Sequence, residues 1–195
     1  MKKTLLVLAV LCCATFCSHA QTNPPVKIDS TFQKDSIARA NLHVWLSIGL
    51  VVGAATGQTN KTYSSVDGVS FKFEFPFPGE KLAFTLTAAF SNYSTKSTAY
   101  ADTMQNGHFV PIEIGLKYFL HKGIYFEGDI GESYNINSSF MGYRSDFVYS
   151  PMIGVSLPLK SPYTAIDLGI RYERRISSAG NINQVAFRAA YNFGL

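Results

Sequence analysis

From residue 44 to the last residue, side chains alternate with a period of two through eight separate runs. In residues 44–52, Val44, Leu46, Ile48, Leu50 and Val52 share one parity, with Trp45, Ser47 and Gly49 on the other. In residues 71–77, Phe71, Phe73, Phe75 and Phe77 alternate with Lys72, Glu74 and Pro76. The same pattern returns at 82–90, 110–120, 124–131, 147–157, 166–173 and 185–195. Successive side chains on a strand point to opposite faces, so the pattern predicts eight strands. The connections alternate in kind. Residues 78–81, 121–123 and 158–162 have tight-turn compositions, whereas 57–68, 92–107, 137–146 and 175–183 are longer and rich in Asn, Ser, Thr and Gly. Alternating short and long connections predict an up-and-down antiparallel meander.

The chemistry of the two faces then chooses the solvent. The apolar parity carries no Asp, Glu, Lys or Arg in these runs. The other parity carries Lys72, Glu74, Glu113, Lys117, Glu127, Asp129, Asp167, Arg171, Glu173 and Arg188, with most of the Gly, Ala and Ser. The interior of an eight-stranded barrel has room for little more than side chains. Small residues and opposite charges suit that interior, so the large apolar residues point outward, where lipid is the compatible surround. The expected fold is therefore all-β, an eight-stranded antiparallel up-and-down transmembrane β-barrel.

Composition agrees. The chain has 195 residues, 47% hydrophobic, 15% charged and 14% aromatic, with 15 Phe and 11 Tyr against one Trp. Soluble domains average about 25% charged residues. So apolar a chain is not intrinsically disordered. It also lacks the uninterrupted apolar stretch of about 20 residues that a membrane helix needs. Aromatics gather near the run ends: Phe75, Phe77, Tyr118, Tyr163, Tyr191 and Phe193 at the short-turn end, with Phe90, Tyr93, Tyr134, Tyr149 and Tyr172 at the other. Such rings suit the two bilayer interfaces. Pro111 and Pro151 are expected near the rim, where a missing N–H is tolerable.

Residues 1–20 read as a signal peptide: Lys2 and Lys3, an apolar stretch over 4–16, then Ser18-His19-Ala20 before Gln21. The residues before Cys12, Cys13 and Cys17 do not suit lipidation. All three cysteines leave with this segment, so disulfides, thiolate metal sites and cysteine catalysis are excluded from the mature chain. Loss of Lys2 and Lys3 lowers the formal charge from +4 to +2, so the basic pI is no argument for nucleic acid. Residues 21–41 read as a polar periplasmic lead-in, flexible or weakly helical around Phe32 and Ile37, and 42–195 as the barrel.

A signal peptide, eight alternating strands, short turns, long loops and an aromatic-rich final strand resemble the small outer-membrane β-barrel family (OmpX, OmpA-barrel and PorT-like proteins). The resemblance spans about residues 42–195 and is architectural. The final strand departs from the family's usual terminal aromatic, ending Phe193-Gly194-Leu195. The resemblance implies the outer membrane of a Gram-negative bacterium, outer-membrane lipid as surround, insertion by the barrel assembly machinery and a monomer.

Folding a hairpin about residues 121–123 sets Lys117 opposite Glu127, and Gly115 opposite Asp129; the last hairpin is expected to bring Arg171 and Glu173 near Arg188. The expected reading is a core closed by salt bridges, with a gated ion path as its rival. Some small barrels modify lipid A, and a Ser-His-Asp-like set would need His108 with Asp102 or Asp67 and Ser64 or Ser139. His43 and His121 lie at the opposite end. The glycosylation patterns at Asn60, Asn92 and Asn137 are chance matches in Asn-rich loops. No cofactor or metal motif is present. Three functions follow: a non-enzymatic anchor or adhesion barrel binding a surface ligand through its outer loops, a lipid A-modifying enzyme, and an envelope assembly or secretion accessory.

Overall fold

The computed structural model describes residues 44–77, 81–96, 106–121, 123–136, 145–159, 163–177 and 180–195. The signal peptide, the 21–41 segment and His43 lie outside the described residues, as do Asp102 and Ser139.

Eight strands follow one another: β1 (Trp45–Thr56), β2 (Tyr63–Pro76), β3 (Leu82–Thr95), β4 (Gly107–Phe119), β5 (Ile124–Asn135), β6 (Ser145–Pro158), β7 (Thr164–Ile176) and β8 (Ile182–Gly194). Each pairs antiparallel with its neighbours in sequence, and β8 returns to β1, closing the barrel. The seam runs from Trp45 opposite Gly194 to Thr56 opposite Asn183, and the Leu195 N–H donates to the Val44 carbonyl at 3.0 Å. Closure satisfies backbone groups that an open edge would leave unpaired, which a bilayer interior does not tolerate.

The parity read from the sequence maps onto the wall. None of the apolar-parity positions is buried; Leu50, Val52 and Ile170 are each more than half exposed. The other parity turns inward. Gly115 shows how tightly: a Cβ there would lie 1.8 Å from Asp129 Oδ1 and 2.5 Å from the Gly128 carbonyl oxygen. Gly123 supplies a φ of 82° in the β4–β5 turn, which side chains rarely adopt.

Two expectations need correction. The strands outrun the alternating runs, because Tyr63–Gly68 belong to β2, 92–95 to β3, 145–146 to β6, and 175–176 and 182–183 to β7 and β8. A strand of about 9–11 residues crosses the hydrocarbon; these have 12 to 14. The wall therefore continues past its apolar belt at the long-connection end, where outward residues turn polar and the alternation signal fades. The β1–β2 connection shrinks to the 3-10 turn Gly57–Lys61 and Thr62.

Pro151 does not sit at the rim. It lies at the middle of β6 and interrupts the ladder to β7, which resumes at Tyr149 opposite Arg174 after Met152 opposite Arg171. Pro111 interrupts the β3–β4 ladder in the same way, between Ala88–Ile112 and Ser91–Phe109. Each proline keeps its pairing on the β5 side, opposite Gly128 and Ser133. The missing N–H thus loosens one ladder per proline while the barrel stays closed.

Candidate functional site

The candidate site is the barrel interior and its outer mouth. All ten charged side chains named from parity are buried. They are braced across the interior. At the short-turn end Lys117 Nζ lies 2.7 Å from Glu74 Oε2 and 2.8 Å from Asp167 Oδ2, so β4 is tied to β2 and β7. The Tyr125 and Phe119 rings flank the same ammonium at 4.1 and 5.0 Å. Lys72 pairs with Glu127, β2 to β5. Asp129 accepts from Thr85 Oγ1 at 3.0 Å. Arg171 pairs with Glu113 across the interior and with Glu173 at 3.1 Å on its own strand. Ser150 Oγ donates to Glu113 at 2.6 Å and accepts from Arg171 at 2.8 Å.

Two expected pairings are corrected. Lys117 stands opposite Glu127 in register, yet its ion partners are Glu74 and Asp167, while Glu127 is held by Lys72. Arg188 does not join Arg171 and Glu173. It stands opposite Gly169 and Val51, and donates to Ser70 Oγ at 2.9 Å and Ser47 Oγ at 2.8 Å. The physical reason is curvature. On a flat sheet, cross-strand neighbours are nearest; in a narrow barrel, inward side chains converge on the axis and long ones reach strands on the far side.

The outer mouth holds groups that the sequence reading missed. Arg175, assigned to a loop, is wholly buried on β7, and Tyr93, assigned to the bilayer interface, is wholly buried on β3. The Arg175 guanidinium lies 4.4 Å from the Phe109 ring centroid and 4.9 Å from that of Tyr93, and pairs with Glu173. Tyr93 packs edge-on against Tyr63 at 5.5 Å and Phe109 at 5.4 Å, in a cluster with Ala55 and Val66. Parity carried the signal: Arg175 continues Arg171 and Glu173, and Tyr93 continues Ala89 and Ser91.

The described members of the proposed enzyme set, His108, Asp67 and Ser64, each have other partners. His108 stacks on Phe90 with centroids 5.9 Å apart, Asp67 accepts from Asn92 at 3.1 Å, and Ser64 donates to the Ser94 carbonyl at 3.3 Å. His121 is exposed in the β4–β5 turn. Among the described residues, no three His, Cys, Asp or Glu side chains are placed to hold a metal.

No protein-family model matches the sequence. The search of curated proteins returns no match. Solved structures do match in shape. Neisserial surface protein A superposes with a TM-score of 0.53 at 10% identity, covering 78% of this chain and 97% of that one. The Yersinia pestis outer membrane protein Ail, in a phospholipid bilayer nanodisc, gives 0.53 at 13%, covering 78% and 100%. OprG, an outer membrane protein of Pseudomonas aeruginosa, gives 0.50 at 13%, covering 79% and 97%. At such identities the likeness is one of fold. The chain thus has the closed, eight-stranded, all-antiparallel fold of the small outer-membrane β-barrels.

Proposed function

We propose that this protein is a non-enzymatic barrel of the Gram-negative outer membrane, exported by the signal peptide 1–20, which anchors a rigid surface platform for binding. The observation that carries the reading is the filled interior. The pairs of Lys72, Lys117 and Arg171 with carboxylates of other strands are buried inside the barrel, and Arg175 is wholly buried against the Tyr93 and Phe109 rings at the long-connection end. A barrel so filled transports little, leaving its wall to hold lipid and its outer end to meet ligands. The ten interior charges brace the barrel in this reading. A closed wall without a free edge favours a monomer, inserted by the barrel assembly machinery.

Single-channel recording on the full barrel in planar bilayers tests the filled interior. Wild type should show no steady conductance, and a Tyr93→Ala, Arg175→Ala double variant should show brief openings; stable large conductance of wild type would overturn the closed reading. Replacing the outer connections with Gly-Ser segments should abolish attachment of cells to a surface ligand while the barrel still assembles.

A further inference from the structure

Of the six interior carboxyl groups named from parity, five pair with a cation, and among the described residues Asp129 alone pairs with none. It is buried, and so is Glu127, two residues away on the same inward face of β5. The cations near it are committed elsewhere, Lys72 to Glu127 and Arg171 to Glu113 and Glu173. Asp129 Oδ1 takes the Thr85 hydroxyl of β3 at 3.0 Å and lies over Gly115 of β4, where a side chain would displace it. Its partner in register on β6, Ser150, donates to Glu113 instead. The charges facing Asp129 are thus Glu127 on its own strand, Lys72 from β2, Glu113 from β4 and Arg171 from β7. Lys117 from β4 and Arg188 from β8 stand beyond, facing Lys72. The Glu127 and Asp129 side chains are hydrogen-bonded to each other. The buried Glu127 Oε2 accepts from no N–H or hydroxyl among the described residues.

We propose that Glu127 and Asp129 share one proton, as a carboxyl–carboxylate pair inside the barrel. Ionised carboxylates only accept, so two of them cannot make the hydrogen bond that joins these side chains. One proton supplies it and removes the repulsion of two like charges in a site shut off from water. Carboxyl groups forced together on one proton are a known arrangement wherever both cannot ionise. The partners decide where the proton sits. Lys72 stabilises a negative Glu127, so the proton lies nearer Asp129, which has no cation of its own. A metal ion is the other conceivable occupant, but it needs several oxygen ligands. Among the described residues no third carboxylate, His or Cys is placed to complete such a site. The shared proton takes the place of a mobile counter-ion, in keeping with a closed core.

Infrared spectroscopy of the full barrel in phosphatidylcholine nanodiscs at neutral pH reads the proton directly. Wild type should show the C=O stretch of a buried protonated carboxyl group, moving to lower frequency after refolding in heavy water. The band should move again when aspartate is isotope-labelled at its side-chain carboxyl carbon. Asp129→Asn and Glu127→Gln should each abolish it in a folded barrel, the second because Asp129 then ionises against Lys72. No such band in folded wild type, or its persistence in Asp129→Asn, would overturn the proposal. Persistence in Glu127→Gln would overturn the sharing, because a solitary buried acid needs no second carboxylate. Should either variant fail to fold, the label on wild type decides, since a band that ignores labelled aspartate does not belong to Asp129.

Discussion

Lys117 is wholly buried between two carboxylates, whereas Arg188 is equally buried against two hydroxyls. Removing a cation from a buried pair strands the opposite charge, at a cost of about 3–5 kcal/mol. Lys117→Ala should therefore lower the urea midpoint in detergent sharply, since Glu74 and Asp167 are both left behind. Arg188→Met strands only serine hydroxyls and should cost about 1–3 kcal/mol. Equal midpoint shifts for the two variants would contradict the pairing. Parity sufficed to say that these side chains point inward. It could not say whom they meet, because Lys117 bypasses its register neighbour Glu127 to reach β2 and β7. That choice depends on barrel radius and side-chain length, which no local pattern records.

Among the elements, β3 and β4 show where the pattern stops and the strand does not. The alternating run ended at Phe90, but β3 continues to Thr95, carrying Tyr93 into the mouth cluster. Beyond the apolar belt outward positions become Asn92, Ser94 and His108, so both faces lose their contrast while the ladder still runs. The eight strands, their order and the closed barrel were legible from period and connection length; the height of the wall was not. The mid-strand position of Pro151 was also missed, since a run's apparent start moves with the same loss of contrast. Tyr93→Ala removes the ring shared by Tyr63, Phe109 and Arg175 and should cost about 3–5 kcal/mol. Amide exchange should then accelerate first at the outer ends of β3 and β4, with the β4–β5 turn end unchanged. Uniform acceleration along both strands would show that the mouth is no separate packing unit.

For the whole molecule, the mean hydropathy of +0.07 is an average over two opposed environments. Large apolar residues cover the outside, and the charges brace the inside. The parity of each strand position therefore sets which solvent it meets. A chain starting at Gln21 has no cysteine of its own, so single labels can be placed at will. Spin labels at Ile48, Leu50 and Val52, alternating with Ser47 and Val51, give the most direct measurement when the barrel is in lipid vesicles. Labels at the first three should relax strongly with dissolved oxygen and weakly with an aqueous nickel chelate, and labels at the others should respond weakly to both. Accessibility without a period of two, or chelate access at Leu50 equal to that of a loop position, would contradict the division of the wall into a lipid-facing surface and a filled interior.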